Sequence, residues 1–182
     1  LYLYDYAGFL ITNSTISGNE ASSGNGGGIY LYYDITLELR SVTLTNNTAG
    51  NDGGGVYKDD NDSVFGYNNS IIAGNSAGNN GADCSANENV LSRGYNILGN
   101  GTGCKGDAEN DQLINAPAVM TDLLNELAGN GGPTLTHALR AGSMGDNKGD
   151  NANCRETDQR GTKRMQNGAS APFFTSYKKT RV

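Results

Sequence analysis

The sequence predicts an all-β protein, a parallel β-helix (solenoid) whose short strands wind into stacked coils. Two repeated phrases lead to this prediction. In the first, an aliphatic residue is followed three places later by Asn and five places later by Ala, and it recurs at Ile16, Leu44 and Ile72, a period of 28 residues. In the second, three Gly precede Ile or Val and then Tyr, at 26–30 and 53–57. A fixed period of about 20–50 residues is typical of stacked repeats.

One coil spans residues 28–55, and it contains three alternating segments, at 28–32, 35–39 and 42–44. Alternation of apolar and polar residues is typical of a strand with one buried face. Three short strands are too few to close a core alone. We therefore expect each strand to pair with its equivalents in the coils above and below, about 4.8 Å away.

The repeated Asn and Gly residues are expected at the corners between strands. Asn tolerates positive φ, so we expect Asn19, Asn47 and Asn75 to turn the chain out of a strand. Stacked coils would also place their side-chain amides in hydrogen-bonding contact. The Gly triplets, which end at Gly28 and Gly55, predict a second corner where the missing Cβ lets coils approach closely.

The 28-residue rhythm ends near residue 79, and other patterns follow. The phrase from Tyr95 to Asn100 predicts one more strand and turn. Helical spacing then recurs in an apolar set: Val119, Met120, Leu123, Leu124 and Leu127. Pro117 suits the first turn and Gly129 the C-terminal end of a helix near 117–128. We expect this helix to cover the side or end of the stack and protect its edge strands.

Composition and charge narrow the class of protein. The 27 Gly and 24 Asn residues are compatible with disorder, but the regular period argues for a folded solenoid. Residues 1–154 carry a net charge of −11 and residues 155–182 carry +5, and an acidic body disfavours nucleic acid as a partner. No apolar run is long enough to span a membrane. Because the chain opens at Leu1 without Met or a leader, we expect a fragment.

These patterns predict a division into coils over 1–105, a C-terminal coil and capping segment over 106–168, and a divergent basic tail over 169–182. Cys84 and Cys104 lie 20 residues apart around a Gly- and Asn-rich excursion, which predicts a disulfide in an oxidising compartment. A thiolate metal site is disfavoured because zinc sites use tight paired spacings and His137 is the only histidine. Cys154 has no evident partner.

The repeats resemble right-handed parallel β-helix proteins of bacterial surfaces. The two repeated phrases are similar to the repeats of polymorphic outer-membrane proteins. Further motifs over 13–161 are similar to secreted β-helix proteins of the choice-of-anchor type: Asp83-Cys84, Gly94-Tyr95-Asn96, Asp111-Gln112, Asn130 to Leu139, and Asp158 to Gly161. The resemblance implies an extracellular or outer-membrane location. It also implies that Cys154 has lost its partner, because Ser170 stands where the family has a cysteine.

The acidic run Asp59, Asp60 and Asp62 is the strongest candidate for chemistry, directly after a predicted strand. Clustered carboxylates can bind calcium or act as acid and base. We favour a solvated loop instead, because no carboxylate pair falls at the same phase in the adjacent coils. We therefore assign no catalytic or metal residue, and calcium at this run is the one cofactor left open. His137, in a strand-like phrase, is expected to be structural.

The functional prediction is a non-enzymatic extracellular scaffold or adhesin-like module, with polysaccharide or cell-surface glycan as the expected partner. One alternative is a polysaccharide lyase or hydrolase of pectate-lyase-like shape that acts through the acidic run. The other is a glycan-binding module without catalysis. Four tyrosines would serve the second alternative as a stacking surface: Tyr30, Tyr32, Tyr33 and Tyr57.

Overall fold

The computed structural model describes residues 1–99, 103–106 and 108–164 and shows a parallel β-solenoid of about three turns. Its strands are β1 (Tyr2–Leu3), β2 (Gly8–Ser17), β3 (Glu20–Ala21), β4 (Ile29–Leu31), β5 (Thr36–Thr45), β6 (Thr48–Ala49), β7 (Val56–Lys58), β8 (Val64–Asn68), β9 (Ile71–Ile72), β10 (Ser76–Ala77), β11 (Cys84–Ser85), β12 (Val90–Ser92), β13 (Ile97–Leu98), β14 (Gln112–Leu113), β15 (Leu124–Ala128) and β16 (Thr136–Leu139). A helix α1 (Ala116–Ala118) continues into a π-helical turn (Val119–Leu123).

Each coil contributes strands to the faces of the solenoid, and all strand pairs of the coils are parallel. One face contains β1, β4, β7 and β11, a second contains β3, β6 and β10, and the longest contains β2, β5, β8 and β12 with β9, β13 and β14. Ile16 pairs with Leu44 and Leu44 with Ile72, in the register that the repeated phrase predicts. Later pairs join Phe65 with Val90 and Ile97 with Gln112, so the coils shorten toward the C-terminus.

The predicted strand at 42–44 is not a separate element, because it continues β5. Ser41, within β5, has a φ of 69°, and this left-handed residue bends the strand without ending its pairing. In the next coil, Asn69 at a φ of 50° separates β8 from β9. The third strand of the coil is instead the short β6.

The prediction that the repeated Asn residues take positive φ is wrong. The left-handed residue lies one position earlier in every coil, at Gly18 (71°), Asn46 (56°) and Gly74 (75°). Because the preceding residue makes the turn, the side chains of Asn47 and Asn75 are free to lie buried between coils. Their role is therefore hydrogen bonding along the stack.

The Gly triplets occupy a corner of close approach, as the sequence predicts. A Cβ on Gly28 would lie 2.7 Å from the carbonyl oxygen of Gly55, and a Cβ on Gly55 would lie 2.4 Å from that of Asp83. Distances this short are not tolerated between a Cβ and backbone atoms. Gly is therefore required at both positions.

Two hydrophobic cores form on opposite sides of the longest face. The interior core fills the solenoid with inward side chains such as Leu37, Leu44, Phe65 and Ile72. The second core, here the lateral core, covers the outer side of the same face: Ile71, Ala73, Ile97, Ile114, Val119, Leu123, Leu124 and Leu139. Both cores use one sheet because neighbouring residues of a strand point to opposite sides.

The predicted helix near 117–128 is wrong in its second half. Helical structure ends at Leu123, and β15 pairs antiparallel with β16, with Leu124 opposite Leu139. Helical spacing of the apolar residues does not reveal a strand partner that arrives only at residue 136, so tertiary pairing overrides it. Pro117 lies in the first helical turn as expected, whereas Gly129 follows a strand.

Residues 114–164, here the lateral segment, run back along the outer side of the coils. The side chain of Val119 lies against Gly74 of the third coil, and Asn46 of the second coil donates to Met120 Sδ at 3.8 Å. The segment reaches the first coil through Arg164, whose Nη2 donates to Asn13 Oδ1 at 2.9 Å. The predicted turn residue Asn100, residue Ser170 and the tail at 169–182 lie outside the described residues.

Candidate functional site

The acidic run follows β7, and its carboxylates are used differently. Asp60 Oδ1 accepts hydrogen bonds from the backbone N–H groups of Asp62 (2.8 Å) and Ser63 (2.6 Å), and Oδ2 accepts one from Ser63 Oγ (2.6 Å). Asp59 Oδ1 accepts from the Tyr57 hydroxyl at 3.3 Å. Asp60 therefore closes its own turn, and Asp59 faces a tyrosine.

The pKa of Asp60 is consistent with a carboxylate that accepts hydrogen bonds within this turn. Burial alone would raise the pKa of Asp60, but the hydrogen bonds from Ser63 and Asp62, with the charge of Lys58, outweigh burial and lower that pKa. Lys58 occupies an inward position beside Leu31 and donates its Nζ hydrogen bond to the Asp60 carbonyl. Within residues 1–99, 103–106 and 108–164, no three His, Cys, Asp or Glu side chains lie together as a metal site requires.

A ladder of side-chain hydrogen bonds joins the repeated Asn residues. The backbone N–H and Nδ2 of Asn19 donate to Asn47 Oδ1 at 3.1 and 2.8 Å. The same groups of Asn47 donate to Asn75 Oδ1 at 3.0 and 2.9 Å, and those of Asn75 donate to Asp83 Oδ1, both at 2.9 Å. Because a carboxylate only accepts, Asp83 is suited to the last rung.

A second ladder lies beside the left-handed bend of the longest face. Val42 N–H donates to Ser70 Oγ (3.2 Å), Ser70 N–H to Asn96 Oδ1 (2.9 Å), and Asn96 N–H to Asp111 Oδ1 (2.9 Å). An aspartate again ends the ladder. Sequence reasoning missed it because its rungs differ in residue type and its later spacings are not constant.

Exposed and half-buried tyrosines form a contiguous surface on the outer side of the face built by β1, β4 and β7. We call the following set the tyrosine patch: Tyr2, Tyr4, Tyr30, Tyr32 and Tyr57. In one column the ring centroids of Tyr2 and Tyr30 are 5.0 Å apart and those of Tyr30 and Tyr57 are 5.1 Å apart. In the neighbouring column Tyr4 and Tyr32 are 5.2 Å apart. The strand register aligns the columns.

The sequence prediction found only part of this patch. Tyr30, Tyr32 and Tyr57 belong to it, but Tyr33 instead contacts Tyr6 edge to face at a centroid distance of 5.3 Å. Tyr2 and Tyr4 were missed, although the 28-residue period places them beside Tyr30 and Tyr32. Extending the repeat to the first coil would have found both.

Three tyrosines of the patch, Tyr2, Tyr30 and Tyr57, have a raised pKa, which favours the protonated hydroxyl. Burial, followed by the negative charge of Asp59, raises the pKa of both Tyr30 and Tyr57. Burial also raises the pKa of Tyr2, followed by the charges of Tyr32, Tyr4 and Asp59. A protonated phenol both donates and accepts hydrogen bonds.

His137 is buried between the lateral segment and the first coil. Its Nδ1 faces the Asn125 carbonyl oxygen at 2.8 Å, and because that oxygen only accepts, Nδ1–H is the donor. In the neutral ring, Nε2 then accepts from Ser17 Oγ at 2.8 Å. The side chain is 1% exposed, so this pair holds two parts of the chain together and has no open face toward a substrate.

Cys84 and Cys104 form the predicted disulfide, with their Cα atoms 5.2 Å apart. The bond anchors the excursion after residue 84 to the end of the solenoid. Cys154 is a free, half-buried thiol, and burial raises its pKa. A raised pKa keeps the thiol protonated and lowers its reactivity.

No family model, curated protein or solved structure matches this chain. The resemblance to bacterial surface proteins therefore rests on the motifs, and the parallel solenoid is the part of it that the structure bears out. In the described part of the chain, no helix combines the length and the apolar character needed to cross a membrane.

Proposed function

We propose that this chain is a non-enzymatic extracellular scaffold, an adhesin-like rod that holds binding surfaces at fixed positions. The observation that carries the proposal is the pair of buried side-chain ladders that tie each coil to the next. A buried amide that loses its partner costs about 1–3 kcal/mol, so the ladders oppose any slip between coils. A rod of this kind is suited to displaying a binding surface, because its coils do not move relative to one another.

The lateral segment adds to this rigidity because it contacts successive coils. Asn69 Nδ2 donates to the Asp150 carbonyl at 3.2 Å, and the Asp150 N–H donates back to Asn69 Oδ1 at 2.6 Å. In the first coil, Thr15 Oγ1 donates to Gln159 Oε1 at 2.7 Å. These bonds support a role in which the coils keep one arrangement.

The proposed location is the outside of a bacterial cell. The disulfide supports an oxidising compartment, because such bonds are rare in reducing cytosol. The motif resemblance supports a secreted or surface-displayed protein. The acidic body, with a net charge of −11 over residues 1–154, supports a partner other than nucleic acid.

The competing function is polysaccharide cleavage through Asp59, Asp60 and Asp62. Glycosidases place a pair of carboxylates on either side of the scissile bond. Asp60 instead directs both carboxylate oxygens toward its own turn, which supports a structural role for it. This arrangement is the reason for preferring the scaffold.

Incubation with a panel of neutral and acidic polysaccharides, with and without calcium, tests the choice. We expect no product release by the wild-type chain. Release that disappears in an Asp59/Asp60/Asp62→Ala variant, but persists in the exposed control variant Asp122→Ala, would make the protein an enzyme.

Hydrogen exchange tests the rigidity that the scaffold function requires. The backbone amides of Asn47, Asn75 and Ser70 should share one opening free energy, as in a single cooperative unit.

A further inference from the structure

We propose that the tyrosine patch is a binding site for a linear, uncharged polysaccharide whose chain follows the columns of rings. The inference rests on the proposed adhesin-like function, since it names the ligand that the rod would hold. Three properties of the patch support it: the exposure of the rings, their regular spacing, and the carboxylates beside them.

The rings are exposed and held in place. Tyr2 and Tyr4 are each 58% exposed and Tyr32 is 38% exposed, on strands or strand ends that pair across the coils. Within the described residues, the hydroxyls of these three tyrosines make no hydrogen bond and are available to a ligand, whereas the Tyr57 hydroxyl donates to Asp59. Tyrosine offers a large amphipathic contact area with only two side-chain torsions to immobilise, which makes it effective in binding surfaces.

The regular spacing of the rings indicates a repeating ligand. Successive centroids in the longer column are 5.0 and 5.1 Å apart, and the pair in the second column is 5.2 Å apart. This spacing follows from the distance between paired strands. An extended β-1,4-linked sugar chain advances by nearly the same distance per sugar, so one sugar would lie against each successive ring.

The chemistry of the patch suits sugars. The rings of each column stack partly on one another, with ring planes inclined by 9° for Tyr4 and Tyr32, 30° for Tyr2 and Tyr30, and 47° for Tyr30 and Tyr57. The remaining surface of Tyr2, Tyr4 and Tyr32 is exposed. Each exposed phenol therefore presents an apolar ring surface beside a hydroxyl. A pyranose likewise presents C–H groups beside hydroxyls, and it can satisfy both parts of the phenol at once.

The charge around the patch selects against acidic polysaccharides. Among the described residues, two carboxylates raise the pKa of these tyrosines through their charge: Asp59 affects Tyr2, Tyr30 and Tyr57, and Asp52 affects Tyr57. Asp59 also accepts a hydrogen bond from the Tyr57 hydroxyl at 3.3 Å. Like charges brought together at an interface oppose binding. A polymer of uronates or sulfated sugars would meet this repulsion, whereas a neutral glucan would not.

Titration of the full chain with soluble cello-oligosaccharides tests the proposal, with polygalacturonate as the anionic probe. The chain contains no Trp, so its intrinsic fluorescence reports tyrosine directly, and calorimetry gives an independent affinity. We expect saturable binding of the neutral probe. Replacing Tyr4 or Tyr32 with Ala should weaken binding about tenfold, which corresponds to the loss of one aromatic contact.

Tyr33→Ala is the matched control, because Tyr33 is 43% exposed but lies outside the patch. This variant should bind cello-oligosaccharides with the affinity of the wild type. Tyr32→Phe, which keeps the ring, should retain most of the affinity and guards against misfolding of the Ala variants. Absence of binding by folded wild-type chain, equal weakening by Tyr33→Ala, or tighter binding of polygalacturonate would overturn the proposal. Cleavage of the glucan would instead overturn the scaffold function.

Discussion

The stacked coils and the lateral segment both contain fully buried apolar side chains. Leu37 and Leu44 in the second coil and Val119 and Leu123 in the lateral segment all have no exposed surface. Their backbones differ. Strand β5 pairs with β2 on one side and with β8 and β9 on the other, whereas β15 pairs with β16 alone.

This difference predicts two kinds of stability. A residue of the second coil is held by neighbours above and below, so a defect there weakens the stack as a whole. The lateral segment is held mainly by side chains against a sheet that already exists, so it can open without unwinding the coils. Regions with fewer backbone partners open at lower free energy than core strands.

Asn47→Leu should have the largest effect, because it breaks the Asn ladder at its centre. The change removes the donor to Asn75 and the acceptor for Asn19, and it leaves the Ile16 and Thr45 carbonyl oxygens without the bonds they accept at 3.0 and 3.1 Å. We expect a loss of about 4 kcal/mol in the free energy of unfolding, measured by chemical denaturation.

Asn51→Leu is the control for that change, because Asn51 is exposed and its side chain donates one exposed bond to Ser23. It should alter stability by about 0.5 kcal/mol or less. Similar losses in the two variants would contradict the importance of the ladder.

Leu123→Ala should come next, because it opens a cavity in the lateral core. We expect a loss of about 3 kcal/mol. Limited proteolysis should show cleavage within the lateral segment while the coils stay protected. Leu37→Ala, of similar cost, should instead lower the stability of the coils, and Leu113→Ala, which is 63% exposed, should change little. Identical protease patterns for Leu123→Ala and Leu37→Ala would mean that the two regions unfold together.

Ser17→Ala should have the smallest effect, because it removes one polar contact between the lateral segment and the first coil. His137 Nε2 would lose the hydroxyl that lies 2.8 Å away. We expect a loss of about 1 kcal/mol by thermal or chemical denaturation. Ser23→Ala, at an exposed position, is the reference. A Ser17 variant as stable as this reference would remove His137 from the contacts that hold the segment.

Sequence reasoning succeeded where the same physical demand recurs. Ile16, Leu44 and Ile72 must fill equivalent inward positions, and Gly28 and Gly55 must both lie close to a carbonyl of the next coil. Repetition makes such demands visible without a structure. Part of the tyrosine patch was predicted for the same reason, and its two members in the first coil were missed only because the repeat was not extended to them.

The errors have local causes. Asn tolerates positive φ in general, but here Gly18 and Gly74 make that turn and leave the following Asn to bond along the stack. At the acidic run the sequence predicts a solvated loop, and only the structure reveals that the Asp60 side chain closes its own turn. The aspartates that end the ladders, Asp83 and Asp111, could not be found from the 28-residue period. They follow the preceding ladder residues, Asn75 and Asn96, by only 8 and 15 residues.

By itself, the sequence determined the winding of this protein: the parallel coils, their register, their Gly corners and the disulfide between Cys84 and Cys104. Tertiary structure alone decided that 124–128 becomes a strand and that the lateral segment returns to the first coil. The physical reason is that contacts between coils recur at a nearly constant separation along the sequence, so the same residue types reappear at that period and can be recognised. The contact between Ser17 and His137 spans 120 residues and occurs once, so no pattern along the chain records it.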